Sequence, residues 1–516
     1  MKDWINTRQS LTKWLSKSSL RKEFSKKINF EDLSLWWISE LMNKDNITDN
    51  SWYLNLNNRL NLNKKVLSQE KNNYQILLIN LFKKLFYKIV SCVLVKIFFC
   101  KKEKFNFKRD TVYGLYTNFI YFKNSFTDRQ YGNFINKRSK NKIYVLELPE
   151  NFYFIKNIFK IKRNLKKIPI DYVILNKGLK FVDIFKIFYI SLLLFLKLQK
   201  VLKKKNYFLI NNIDCRDILE PKLIKSFFGP IQDQLYKAKA LENTLKNIKT
   251  KNFINCYDFY YQSRAFFHFS KKVKDMQIIN INHAIYFKND LTFCFEKKDF
   301  SKKNNSFYSP KPDFFFTQGE KYFKHLKNTF KKKKLFCIGS LKVECNNFII
   351  KKQKSKKKKA RKNILILCGI NDYESFIKII NESQIKDYKI FVAPHPLKKK
   401  ETIKFFQNNM KINFVDATLL KKSNLFSNSD FIICGDTSLG YELALKKYNV
   451  IRLYHKNYIP TFDIDDEIPT ATNKKEFLKI LSKDSIFQKT KLIERNYFYK
   501  YDMNAHFRLE KILNKL

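Results

Sequence analysis

Short apolar runs that alternate with helical stretches constrain the fold of this chain most strongly. From about residue 108 these runs are continuously apolar rather than alternating, which is typical of parallel strands covered by helices on both faces. The pattern predicts an α/β protein. The candidate strands before residue 351 are Thr111–Leu115, Lys142–Leu146, Tyr207–Ile210, Phe253–Asn255, Gln277–Asn282, Phe314–Thr317 and Leu335–Ile338.

A lysine-rich run divides this alternation into two series. Residues 351–362 read KKQKSKKKKARK, and a run of like charge repels itself and stays solvated as a linker. After it the alternation restarts, with candidate strands at Asn363–Cys368, Lys389–Ala393, Phe431–Cys434 and Val450–Leu453. Two series joined by one linker predict two Rossmann-like domains that face a cleft. Ligands in such sheets bind beyond the carboxyl ends of the strands.

The predicted organisation has five parts. Residues 1–105 form a helical N-terminal extension with a possible membrane-surface helix, and 106–350 form the first Rossmann-like domain. After the linker 351–362, residues 363–485 form the second domain and 486–516 a helical tail. We expect an acceptor to bind the first domain and a nucleotide-activated donor to bind the second.

The chain carries a formal net charge of +56. Basic charge attracts phosphate in nucleic acids, membranes and nucleotides alike. The charge is spread along the chain, lysine outnumbers arginine, and no zinc-finger or RRM-type signature occurs. We therefore expect no specific nucleic-acid partner. The charge is explained better by a drift of neutral surface positions to lysine, together with contact to a membrane surface, than by binding to nucleic acid.

Two apolar stretches bear on membrane contact. Residues 74–100 are interrupted by four lysines, and residues 187–196 are uncharged but flanked by Lys186 and Lys197. A spanning helix needs about 20 mostly apolar residues, and a central lysine costs about 2.5–3.5 kcal/mol. Neither stretch meets this requirement. Each is either a helix lying in the membrane interface or a buried core helix.

The N-terminal segment lacks the apolar core of a signal peptide, and none of the nine cysteines forms a CxxC pair. These features predict a cytoplasmic protein with reduced thiols.

A histidine between two prolines follows one predicted strand of the second domain. The sequence Ala393-Pro-His-Pro-Leu-Lys398 places His395 at a carboxyl edge with its backbone fixed on both sides. A held imidazole can donate to a phosphate, and Lys398 adds positive charge. We predict that both residues bind the donor phosphate, although a structural role is the usual fate of a lone histidine.

A second motif joins the strand Phe431–Cys434 to a helix. Gly435 permits a tight turn, and Asp436, Thr437 or Ser438 can cap a helix whose free N–H groups favour phosphate. Glu442, one turn later, could accept hydrogen bonds from a ribose diol. The alternative is simple capping with an exposed Glu442. The motif is not a Walker A loop, because Tyr441 stands where lysine is required, and no GxGxxG occurs.

The order of these motifs resembles a known group of enzymes. PHP at 394–396 followed by SDFIICGDTSLGYELALKKYNVI at 429–451 resembles the nucleotide-binding half of GT-B glycosyltransferases. It is similar to bacterial surface-carbohydrate (capsule, O-antigen, LPS) transferases of the CMP-sugar-dependent sialyl- and Kdo-transferase types, and to CDP-glycerol glycerophosphotransferases. In the first half, 280–286 and 312–320 are also similar, and the resemblance covers about residues 108–480.

The resemblance implies a metal-independent glycosyltransferase of surface polysaccharide biosynthesis. It implies transfer of a sugar from a nucleotide-activated donor, CMP- or CDP-linked, to a glycan or lipid-linked acceptor at the inner face of the membrane. No cofactor is implied, since the nucleotide sugar is a substrate. Alternatives are a CDP-glycerol-type glycerophosphotransferase and a non-catalytic glycan- or nucleic-acid-binding relative. A general base in the first domain is also implied, with Asp214, Asp258 and His283 as candidates.

Overall fold

The N-terminal part of the chain is helical. The computed structural model describes residues 2–44, 51–62, 74–99, 113–117, 120–122, 126–128, 131, 142–149, 155–166, 171–248, 250–282, 285–287, 290–300, 306–345, 362–385, 387–408, 412–415, 425–455, 458, 467–483, 486 and 488–516. The first elements are α1 (Lys2–Lys17), α2 (Ser19–Lys27), β1 (Asn29–Phe30), β2 (Leu33–Ser34), α3 (Glu40–Asn43), α4 (Ser51–Leu62) and α5 (Tyr74–Phe98).

These helices share a core with the sheet that follows. Leu11, Trp36 and Leu56 are buried in one cluster with Phe253 and Ile278, which lie on strands of that sheet. The helical character predicted for residues 1–105 is therefore present in the described part. The segment is packed into the first domain rather than standing apart as an extension.

The first sheet has seven parallel strands. Its region comprises β3 (Tyr113–Thr117), β4 (Ile120–Phe122), β5 (Phe126–Asp128), β6 (Lys142–Leu146), α6 (Ile155–Leu165), β7 (Tyr172–Ile174), α7 (Phe181–Leu202), β8 (Leu209–Ile210), β9 (Ile213–Asp214), α8 (Arg216–Ser226), α9 (Pro230–Ile248), β10 (Asn252–Asn255), α10 (Tyr261–Ser270), β11 (Gln277–Ile281), β12 (Phe314–Thr317), α11 (Glu320–Lys327), β13 (Leu335–Cys337) and α12 (Leu341–Cys345). The strand order is β13-β12-β11-β10-β3-β6-β7, and every pairing is parallel.

One predicted strand does not belong to this sheet. Of Tyr207–Ile210, only Leu209–Ile210 is extended, and it pairs antiparallel with β9 in a separate hairpin. The sheet edge is instead β7, whose three residues are too few for a clear periodicity in the sequence. The other candidate strands are found within one or two residues of their predicted bounds, as far as the described residues extend.

The second sheet has six parallel strands in the order β16-β15-β14-β17-β18-β19. Each inner strand is buried on both faces, as the continuous apolar runs predict. Its region comprises β14 (Lys362–Leu367), α13 (Tyr373–Ser383), β15 (Tyr388–Ala393), α14 (Lys399–Gln407), β16 (Asn413–Phe414), α15 (Leu425–Asn428), β17 (Phe431–Cys434), α16 (Ser438–Leu445), β18 (Val450–Leu453), β19 (Thr470–Ala471), α17 (Lys474–Leu481), α18 (Thr490–Ile493), a π-helical turn Glu494–Phe498 and α19 (Ala505–Leu513).

The predicted α/β class with two Rossmann-like sheets is confirmed. In chain order both sheets begin with a central strand, build outward on one side, and then return to build on the other, which is the doubly wound arrangement. The tail then returns to the first sheet. Leu509 and Leu513 of α19 are buried against Leu115 and Ile338, and Lys142 Nζ lies 2.9 Å from Glu510 Oε1.

Candidate functional site

The strand order of the second sheet creates a switch point at its carboxyl edge, between β14 and β17, and we call this part of the edge the crevice. From β14 the chain builds β15 and β16 on one side and β17, β18 and β19 on the other. The connections after β14 and β17 therefore leave in opposite directions, and ligands of open parallel sheets bind at such a reversal. The turn after β17 contains Gly435, Asp436, Thr437 and Ser438. Four of the predicted donor-site residues thus lie at the crevice.

A buried carboxylate joins the turns after β14 and β17. Asp372 Oδ1 accepts the Gly369 N–H at 2.7 Å, and its Oδ2 accepts the Asp436 N–H at 2.8 Å. The Asp372 side chain is fully buried. Burial first, and the nearby Asp436 carboxylate second, raise the pKa of Asp372 to about 8. The raised pKa favours the protonated form of the Asp372 side chain.

Glycine at 435 is required by this close approach. A Cβ there would lie 3.0 Å from Asp372 Cγ and from Phe376 Cζ, and closer still to Asp372 Oδ2. The sequence predicts Gly435 from turn geometry, and the structure adds that the buried acid leaves no room for a side chain. Any larger residue must push the two turns apart.

Asp436 is held by a network of tyrosines and an arginine. Its Oδ1 accepts the Tyr454 hydroxyl and its Oδ2 the Tyr458 hydroxyl, each at 2.9 Å. Arg452, fully buried on β18, donates to the hydroxyls of Tyr441 at 2.8 Å and Tyr454 at 2.6 Å. Burial raises the pKa values of Tyr454 and Tyr458 well above the usual value, so both hydroxyls remain donors. These contacts fix the conformation of the turn at Asp436.

Helix α16 begins at this turn. Thr437 is its N-cap residue, and Thr437 Oγ1 accepts the Leu439 N–H at 3.4 Å. Thr437 and Ser438 are half-buried. The positive end of the helix dipole therefore lies at the crevice with two hydroxyl side chains beside it.

His395 and Lys398 lie at the same edge of the sheet. His395 follows β15, is half-buried, and its Nδ1 accepts the Leu397 N–H at 3.3 Å. Lys398 Nζ lies 3.5 Å from Glu401 Oε1 on the next turn. Strand β14 lies between β15 and β17, so two strand spacings, about 10 Å, separate the strands that precede His395 and Gly435. A phosphorylated ligand lying across the end of β14 would span that distance.

Glu442 contacts the first domain. Its Oε1 lies 3.7 Å from Lys342 Nζ on α12, and both side chains are shielded, with 14% and 26% of their surfaces exposed. Next to it, Phe287 from the segment after β11 packs against Tyr441 with ring centroids 5.6 Å apart. The predicted ribose-binding carboxylate thus lies where the two domains meet.

Asp258 lies at the carboxyl edge of the first sheet, just after β10. It is fully buried, and it accepts Asn280 Nδ2 and Asn282 Nδ2 at 2.9 Å each and the Tyr322 hydroxyl at 3.3 Å. These contacts favour a positioning role for Asp258. The other candidate base, His283, lies outside the described residues. It follows Asn282 directly in the chain, so Asp258 fixes the residue that precedes it.

A second carboxylate at this edge was missed by sequence reasoning. Glu147 follows β6, accepts the hydroxyl of Tyr116, and pairs with Lys237 Nζ at 2.8 Å. Gln262 donates to the same hydroxyl at 2.5 Å. Glu147 retains 7% of its surface exposed.

Comparisons with known proteins show similarity only to solved structures. No family model matches the chain, and neither does any curated protein. UDP-GlcNAc 2-epimerase from Neisseria meningitidis bound to UDP-GlcNAc aligns with 78% of this chain and 100% of its own, at 12% identity and a TM-score of 0.43. The putative UDP-N-acetylglucosamine 2-epimerase from Listeria monocytogenes aligns with 79% and 96%, at 10% identity and a TM-score of 0.41. The wall teichoic acid polymerase TagF aligns with 85% and 97%, at 10% identity and a TM-score of 0.39. We base the fold on the strand order of the chain itself, since these scores are low.

Sequence analysis did not identify two residues that hold the turn after β17, Asp372 and Arg452. Asp372 accepts hydrogen bonds from backbone N–H groups, and one of these, from Asp436, lies 64 positions later in the chain. Arg452 is one basic residue among many. An arginine inside the apolar run Val450–Leu453 was the one available hint, because a charge within a buried strand needs partners. Among the described residues no group of three or more His, Cys, Asp or Glu side chains could hold a metal ion.

Proposed function

We propose that this chain is a glycosyltransferase-like enzyme of surface polysaccharide biosynthesis. It would transfer a sugar from a nucleotide-activated donor, CMP- or CDP-linked, to a glycan or lipid-linked acceptor at the inner face of the cell membrane. The observation that supports this most is the crevice at the carboxyl edge of the second sheet. There a helix N-terminus and two hydroxyl side chains lie at the switch point where parallel sheets bind ligands.

The donor phosphate would lie across the end of β14. The α16 N-terminus with Thr437 and Ser438 would contact it from one side, and His395 with Lys398 from the other. As the bond to the sugar breaks, negative charge grows on the phosphate, and fixed donors stabilise that charge without having to reorganise.

The acceptor would lie against the carboxyl edge of the first sheet. Its hydroxyl must lose a proton as it attacks the sugar, and we assign His283 as the base that takes it. Asp258 would act through Asn282, whose amide it fixes and which directly precedes His283 in the chain. Glu442 would accept hydrogen bonds from the donor ribose, with Lys342 holding it at the domain junction.

The site is tested by nucleotide binding. Titration calorimetry with CMP, CDP, UDP and GDP is carried out on the wild type, His395→Ala and a matched control, Leu397→Ala, which removes an exposed side chain from the same turn. Loss of one charge-assisted hydrogen bond should weaken binding about tenfold or more in His395→Ala. Leu397→Ala should bind as the wild type does. Wild-type indifference to all four nucleotides, or unchanged binding by His395→Ala, would contradict the proposal.

The donor class is tested by turnover. Release of CMP from CMP-sugars is compared with release from CDP-glycerol, each with a lipid-linked glycan as acceptor. Transfer only from CDP-glycerol would assign a glycerophosphotransferase instead. Binding without turnover of any donor would favour a non-catalytic glycan-binding relative.

A further inference from the structure

Helices α5 and α7 lie side by side and antiparallel on the first domain. Phe82 of α5 packs against Phe188 of α7 with ring centroids 5.5 Å apart. Towards the other end of the pair, Lys96 Nζ lies 4.2 Å from the ring centroid of Phe181. The two apolar stretches recognised in the sequence are therefore parts of one surface.

Both helices are anchored by one side and carry apolar side chains on the other. On α7, Ile184, Ile187 and Leu198 are fully buried in the core. The opposite side of α7 exposes residues at helical spacing, and α5 does the same, so the two stripes lie next to each other. We call this surface the apolar face: Ile79, Phe82, Phe86, Val93 and Ile97 of α5 and Val182, Phe185, Tyr189, Leu193 and Leu196 of α7.

The exposure of these side chains is large. Phe86 is 63% exposed, Tyr189 63% and Val182 74%. Single apolar residues on a surface are ordinary, but a contiguous group on two helices marks a binding surface. The core does not account for it, since the buried positions of the same helices already pack there.

A basic pocket lies at the end of α7, next to Leu196 of the apolar face. It has a volume of about 420 Å³ and is lined by Glu23, Lys26, Lys27, Lys197, Lys200, Val201 and Lys204. Five lysines against one glutamate give it a strong attraction for anions. Apolar side chains bordered by lysines are typical of helices that lie in the interface of a membrane.

We propose that the apolar face docks into the interfacial region of an anionic phospholipid bilayer. Its side chains enter among the upper acyl chains, and the pocket lysines contact lipid phosphates. No helix among the described residues is long and apolar enough to cross a membrane. The net charge of +56 adds attraction over a longer range. A second copy of the chain fits this face poorly, because lysines would meet lysines.

Flotation with lipid vesicles tests the proposal on the full chain. One set of vesicles contains phosphatidylcholine only, and the other contains 30 mol % phosphatidylglycerol. We expect the wild type to float with the anionic set and at least tenfold less with the neutral set. Phe86→Ser combined with Phe185→Ser should reduce flotation at least tenfold, whereas Phe507→Ser, at 57% exposure on α19, should not.

The charged part of the surface is tested separately. Lys197→Gln with Lys200→Gln should weaken binding to anionic vesicles about threefold or more, and the same change at Lys474 and Lys475 on α17 should have a smaller effect. Nucleotide titration of every variant distinguishes this proposal from the transfer reaction, since membrane docking predicts unchanged nucleotide affinity. Equal flotation of the Phe86/Phe185 variant and the wild type would overturn it. So would a wild-type dimer that dissociates in that variant without any vesicle binding.

Discussion

The two sheets share one strand order but differ at their carboxyl edges. In the first, Asp258 is satisfied by side chains, two asparagine amides and a tyrosine hydroxyl. In the second, Asp372 is satisfied by backbone N–H groups of two different turns. Six strands in the same order thus carry different loops, and the buried carboxylate is held by side-chain donors at one edge and by backbone donors at the other. The difference shows that chemistry is set by the loops rather than by the sheet.

The largest expected effect is at the edge built from side chains. Asp258→Ala leaves three buried donors without their acceptor, and each costs about 1–3 kcal/mol. We expect the free energy of unfolding to fall by about 3–5 kcal/mol, measured by urea denaturation. The exposed Asp171→Ala should change it by less than about 0.5 kcal/mol. A loss below about 1 kcal/mol for Asp258→Ala would mean that this edge is not held by the carboxylate.

At the carboxyl edge of the second sheet, the buried Asp372 should make the stability of the protein depend on pH. The folded pKa of Asp372 is about 8, and in the unfolded chain about 3.9 applies, so between these values the folded state binds the extra proton. Its contribution to stability is present at low pH and is lost as the pH rises from about 4 to about 8. Asp372→Asn should remove that slope. Denaturation from pH 5 to 9, with the exposed Glu382→Gln as control, checks this, and parallel curves for Asp372→Asn and wild type would refute it.

The first domain should show the opposite slope. Burial lowers the pKa of His268 to about 4, and its Nε2 contacts the Glu31 carbonyl oxygen at 2.8 Å. In the unfolded chain the pKa of histidine is about 6.5, so below that pH the unfolded state binds a proton that the folded state does not bind. The free energy of unfolding therefore falls as the pH drops from about 6.5 to about 4. His268→Gln should flatten this part of the curve. An unchanged slope would show that His268 is accessible to protons in the folded state.

The smallest effect is expected where the two regions meet. Lys342 and Glu442 form a partly shielded pair at 3.7 Å, for which a coupling energy below about 1 kcal/mol is typical. A double-mutant cycle with Lys342→Met and Glu442→Gln, read by denaturation, measures it. A coupling above about 2 kcal/mol would mean that this pair, rather than the packing of Phe287 on Tyr441, holds the domains together.

Most strands and helices of the second domain could be predicted from the sequence. Strands such as Phe431–Cys434 are continuous apolar runs, and Gly435 and Thr437 have local signals for a turn and a cap, so these elements were predicted almost to the residue. The first domain was harder, because β7 has only three residues and Tyr207–Ile210 has strand composition but lies outside the main sheet. Asp372, Glu147 and Arg452 depend on partners distant in sequence, and no local pattern reveals such contacts.

The return of α19 to the first sheet makes the second domain an insertion within the first. Leu509 and Leu513 pack in one core cluster with Leu115 and Ile338, which are synthesised much earlier. The part of the first sheet's core that packs against α19 therefore stays incomplete until residues 505–513 have been synthesised. Its biogenesis cannot follow the usual order in which domains mature one after another along the chain. Until then, the apolar side chains of the first sheet that α19 covers lack these packing partners.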